Sequence, residues 1–173
     1  MSTVNIHFQR EFSPEIQKIK NHTEFNKYRL LLERMDEIIR ISGIDLEFAG
    51  RFVEFIEKKY SVRLSAKSRA KKIAYAVKGL RCNILHGYMK LSFEKLSCRI
   101  AESPLLQWFI GVSRIDGEIS VPGKSQLHKY SQMLSPEEIE HFVRKALDHL
   151  AANGKILGLE NDIDSIASVL CKL

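Results

Sequence analysis

The stretch Ser92-Phe-Glu-Lys-Leu-Ser-Cys-Arg-Ile-Ala-Glu-Ser103-Pro104-Leu-Leu-Gln-Trp-Phe-Ile-Gly111 reads as two short helices and a joint. Ser92 supplies a cap, and Phe93, Leu96 and Ile100 recur at three- and four-residue steps, the period of a helix with one apolar face. Ser103 followed by Pro104 is a cap and a first-turn residue, the pair that restarts a helix. Leu105, Leu106, Trp108 and Phe109 then form an apolar cluster that predicts core, and Gly111 closes the segment.

The same period extends in both directions. Phe25, Tyr28, Leu31, Leu32, Met35, Ile38 and Ile39 define a helix that Gly43 should stop. Asp45 is placed to cap the next, with Phe48, Phe52, Phe55 and Ile56 on its apolar face. A third begins near Ser65 and carries a seam of Ala66, Ala70, Ile73, Val77, Leu80 and Ile84 up to Gly87. Downstream, Gly111 to Gly123 breaks the pattern and reads as a loop rather than a hairpin. Ser125 to Leu134 predicts a short helix. Ser135-Pro136-Glu137-Glu138 is a capping box that opens a longer one through Ile139, Phe142, Val143, Ala146, Leu147 and Leu150 to Asn153-Gly154. A last amphipathic piece spans about Asp162 to Leu170. The expectation is an all-α, multi-helix bundle. Its boundaries are an N-terminal extension over 1–22, a helical domain over 23–153 and a helical tail over 154–173.

The composition, 45% apolar and 28% charged, is that of a globular protein. No apolar run approaches the ~20 residues that span a bilayer, and the first residues lack a secretion signal, so a cytoplasmic protein is expected. Cys82, Cys98 and Cys171 are too widely spaced for a zinc site and read as reduced, mostly buried thiols. His141 and His149 read as surface or boundary residues. The net charge of +6 is concentrated: Arg51 to Lys90 holds eleven basic residues against Glu54 and Glu57, leaving the remainder at −3. On a helical wheel Lys67, Lys71, Lys78 and Arg81 share one flank of the third helix's seam, with Arg69 and Lys72 on the other. Such a helix could bury its seam and line a flank with cations that meet phosphates.

The segment from Leu91-Ser92-Phe93 through Ala101-Glu102-Ser103-Pro104 to Trp108-Phe109-Ile110-Gly111 resembles the amino-terminal domain of bacterial insertion-sequence DDE transposases. The match covers about Leu30 to Ala152. Where that family has a helix thought to meet DNA, this chain reads Pro122-Gly123-Lys124-Ser125-Gln126-Leu127-His128-Lys129-Tyr130. Gln126 and Lys129 replace a threonine and an arginine there, and a lysine is a point charge without the arginine fork. The resemblance implies a helix-turn-helix-like portion, built from the helical segments at 92–109 and 125–134, that recognises the element's terminal inverted repeats in double-stranded DNA. Lys67, Arg69, Lys71, Lys72, Lys78 and Arg81 would contact phosphates, and Lys124, Ser125, Gln126, His128 and Lys129 would approach base edges. It also implies that the catalytic carboxylates lie downstream, on a strand this chain does not reach. The expected fragment is non-catalytic, with a second copy or a full-length transposase as a further partner.

Two features bear on catalysis. Arg81-Cys-Asn-Ile-Leu-His86-Gly-Tyr88 resembles the signature of HEPN ribonucleases, in which an arginine steadies phosphate charge and a histidine moves a proton. Glu160, Asp162 and Asp164 cluster at a helix start, where a cap explains them. No catalytic residue, metal or cofactor is assigned. A third reading is a pure interaction module that regulates a full transposase.

Overall fold

Helix α3, Ala66–Met89, is the element around which the others are arranged. In the computed structural model, which describes residues 19–112, 114–115 and 118–153, it packs against four other helices and meets a fifth through its side chains. Its second half supplies Ala76, Val77, Leu80, Cys82, Ile84 and Leu85 to the core, all buried. Its first turns are largely exposed. The expected 1–22 extension, apart from residues 19–22, and the 154–173 tail lie outside the described residues, as do Cys171 and the acids Glu160, Asp162 and Asp164.

Helix α1 is Thr23–Ser42 and α2 is Ile44–Tyr60, so a single residue, Gly43, turns the chain between them. It lies at φ 66°, a left-handed conformation that side chains with a Cβ resist, so glycine suits it. Because α2 starts at Ile44, Asp45 sits within its first turn and not at its cap. Its carboxylate turns inward instead, onto Arg81. Phe55, expected on the apolar face of α2, is exposed, whereas Phe48 is buried and Phe52 half-buried.

Helix α3 does not stop at Gly87. It runs on to Met89, and Lys90 takes the left-handed cap at φ 52°. A helical glycine costs only ~1 kcal/mol against alanine, and the stacking of Tyr88 on Tyr28, centroids 6.1 Å apart, offsets it. Helices α4, Phe93–Glu102, and α5, Pro104–Ile110, start on the expected serines. Ser92 Oγ accepts from Lys95 N at 3.4 Å and Ser103 Oγ from Leu106 N at 3.3 Å. Leu105, Leu106 and Phe109 are core, with Trp108 partly buried against it.

The segment expected as a loop contains a short antiparallel hairpin, β1 Arg114–Ile115 with β2 Glu118–Ile119. Ile115, Ile119 and the Asp-Gly pair between them in the sequence favour it, a local pattern short enough to be outweighed by the flanking breaks. Helix α6, Lys124–Ser131, follows. Helix α7, Pro136–Asn153, begins with the full capping box: Glu138 N donates to Ser135 Oγ (3.2 Å) and Ser135 N to Glu138 Oε2 (2.9 Å). The described residues thus form an all-α multi-helix bundle with one minor hairpin. Of the cysteines expected as buried thiols, Cys82 is buried and Cys98 is exposed.

Candidate nucleic-acid interface

Helices α3 and α6 are held together by contacts that fix their surfaces relative to one another. Tyr75 and Tyr130 meet edge to face at 5.1 Å. Gln126 Nε2 donates to the Tyr75 hydroxyl at 2.9 Å, and Asn83 Nδ2 to the Tyr130 carbonyl at 2.8 Å. At Gly79 the Tyr130 side chain packs so closely on the α3 backbone that an added Cβ would lie 2.9 Å from its ring. Phe93 on α4 completes the junction, stacked on His86 (4.5 Å) and edge-on to His128 (5.7 Å).

Neither α3 nor α6 contains an aspartate or a glutamate. Acids reach their cations only from neighbouring elements. Glu57 pairs with Arg69 at 2.9 Å, and Glu94 with Lys124 at 3.5 Å across exposed surface. Lys67, Lys71, Lys72, Lys78 and Lys129 make no ion pair among the described residues. All but Lys78 are exposed. Lys78 is half-buried, and that burial holds its ammonium below the usual lysine range, because desolvation disfavours the charged form. The first turn of α3 also lacks an acid, so its cations add to the positive end of the helix dipole instead of being balanced there.

On α6 the expected base-reading residues divide. Ser125, His128 and Lys129 are exposed, and the His128 ring lies 3.3 Å from Gln132 Nε2. Lys124 is exposed but engaged with Glu94. Gln126 is drawn inward by Tyr75.

Arg81 is the correction among the phosphate contacts. It is 5% exposed, and its guanidinium bonds Asp36 at 2.5 Å, Asp45 at 3.2 Å and the Phe109 carbonyl at 2.8 Å. A charge so buried is stable only with such partners, and they leave it no reach to an external phosphate. The same geometry separates the Arg81–His86 pair. Arg81 faces α1, α2 and α5, whereas His86 stacks on Phe93 of α4, so the two do not converge on a phosphate. Asp36, lying between Met35 and Ile38 on the apolar face of α1, was the available sequence sign that a buried cation would be needed.

Among the described residues no group of three or more His, Cys, Asp or Glu could hold a metal ion, and no helix is long and apolar enough to cross a membrane. Comparison of the chain with family models, curated proteins and solved structures finds no match.

Proposed function

We propose that this chain is a DNA-binding domain, the recognition region of an insertion-sequence transposase, acting on the element's terminal inverted repeats. The observation that carries the reading is the acid-free pair α3–α6, two helices in fixed contact that leave five lysines without an ion pair among the described residues. A polyanion is the natural partner of such a surface, since each phosphate neutralised releases counterions. Lys67, Lys71, Lys72 and Lys78, with Arg69 beside them, supply contacts blind to sequence. The exposed Ser125, His128 and Lys129 offer the donors and acceptors that read base edges. Arg81 belongs to the scaffold. The resemblance to transposase N-terminal domains narrows the partner to duplex DNA, and recognition rather than strand transfer is the task assigned.

The test is binding of the purified chain to duplexes carrying the terminal repeats, against scrambled duplexes, over a salt series. The expected result is preferential binding that weakens steeply with salt. Each of Lys67→Ala, Lys71→Ala and Lys72→Ala should make the salt slope shallower by about 0.9, the increment that one neutralised phosphate contributes. Absence of binding at low salt would overturn the assignment and favour the interaction module.

A further inference from the structure

The turn joining α2 to α3 carries a second surface of different chemistry. Phe55 is 55% exposed, Tyr60 61% and Val62 47%. The Lys59 ammonium lies 5.5 Å from the Phe55 ring centroid and 5.7 Å from that of Tyr60, so both rings flank one cation. Lys58, Arg63 and Lys67, from the same stretch of chain, are exposed as well. Duplex phosphates alone would explain the cations but not the uncovered rings, which gain nothing from water.

The turn is also built firmly. Ser61, at φ 49°, closes α2 with its N–H on the carbonyls of Glu57 and Lys58. Val62 N donates to the Glu57 carbonyl at 3.1 Å. The Glu57 carboxylate accepts from Leu64 N at 3.0 Å and from Arg69 at 2.9 Å, tying the turn to the first turns of α3. Glu57 is thereby committed, and Glu54 is the other acid of the segment. The rings are therefore presented by a defined backbone amid a net positive charge.

We infer that this turn binds an unpaired DNA strand, stacking bases on Phe55 and Tyr60 while Lys58, Lys59, Arg63 and Lys67 meet its phosphates. Resting on the DNA-binding reading above, this narrows the substrate to duplex DNA with a melted or single-stranded end. Paired bases hide their faces inside the stack, whereas an unpaired strand offers flat faces and phosphates together, the two things this surface provides. An acidic peptide would match the charge but has no use for two exposed rings beside one ammonium.

The experiment compares the full chain on a blunt duplex and on the same duplex extended by a short single-stranded thymidine overhang. Parallel runs use Phe55→Ala, Tyr60→Ala and Tyr60→Trp. Both alanine positions are exposed, and retained helicity checks folding. The unmodified chain should hold the extended duplex on the order of tenfold more tightly. Each alanine variant should lose most of that preference with blunt-duplex affinity unchanged, and Tyr60→Trp should keep it. Equal affinity for both duplexes, or a preference that survives both alanine variants, overturns the inference while leaving duplex recognition intact. Failure to bind either duplex overturns both, and binding to anionic phospholipid vesicles instead would reassign the surface to a membrane.

Discussion

Arg81 and Asp36 lie 2.5 Å apart inside the bundle, 45 residues apart in sequence, and join α3 to α1. Asp45 and the Phe109 carbonyl bring α2 and α5 to the same guanidinium. Replacing Arg81 by alanine would take the guanidinium away from the buried Asp36 and the partly buried Asp45. The expected loss is about 3–5 kcal/mol of unfolding free energy, the range for breaking a buried pair from one side. Denaturant melts of Arg81→Ala measure it, and a change within about half a kcal/mol, the usual size of a surface substitution, would show that the cluster is not needed.

Gly79 tests the α3–α6 contact. In an open helix, alanine would be favoured over glycine by ~1 kcal/mol. Here its Cβ would lie 2.9 Å from the Tyr130 ring and 3.0 Å from Met133 Sδ, so either the helices part or the side chains move. Overpacking of this kind costs about 1–3 kcal/mol, so Gly79→Ala should destabilise on balance. It should also weaken the proposed DNA binding per folded molecule by shifting α6, which titration at saturating helicity would reveal.

Glu47 joins α2 to α7 through Lys145, His141 (3.0 Å) and, on its own helix, bonds Arg51 (2.6 Å). The hydrogen bond from Lys145, with smaller contributions from His141 and Arg51, holds its carboxyl down at about 2 against an ordinary value of 4.5. A pKa depressed by folding contributes stability that is present above the unfolded value and lost as pH falls towards the folded one. Acidification from pH 4.5 to about 2 should therefore loosen α7 from α2. Glu47→Gln should flatten that part of the stability profile, as followed by helicity at fixed denaturant.

The cysteines should differ sharply as reagents. Burial pushes the Cys82 thiol up to about 12, while Cys98 is exposed on α4. Because the thiolate is the nucleophile, peptide mapping after brief alkylation at neutral pH should find Cys98 modified and Cys82 intact until the chain is unfolded. Equal labelling of the two in the folded protein would contradict the packing around α3.

The helical period was legible because the apolar residues of each segment were dense and most helix starts carried a serine cap, although Asp45 falls inside α2 and α3 runs past Gly87. Ser65, Ser92, Ser103 and Ser135 all accept the expected backbone N–H. What local pattern could not give was the direction in which charged residues point. Arg81 shares its flank with Lys67, Lys71 and Lys78, and only its distant partners Asp36 and Asp45 decide that it turns inward. Gln126 likewise is fixed by Tyr75, 51 residues away. The cationic surface was readable from composition, whereas the exposed rings of Phe55 and Tyr60 were not: periodicity put Phe55 in the core, and the end of α2 leaves it outside.

Helix α3 has 24 residues, about 36 Å at the usual rise, and changes character along its length. Before Ala76 it mostly meets water; beyond it, the bundle. The two parts therefore answer to different constraints. Apart from Arg69, which Glu57 ties to the α2–α3 turn, the cations of the outer turns can be exchanged without touching the fold, while the inner turns tolerate almost no change in volume. Conversely, a load applied at the outer end is carried along one continuous rod to the junction with α1, α2 and α5, so whatever the surface grips is gripped by the whole bundle.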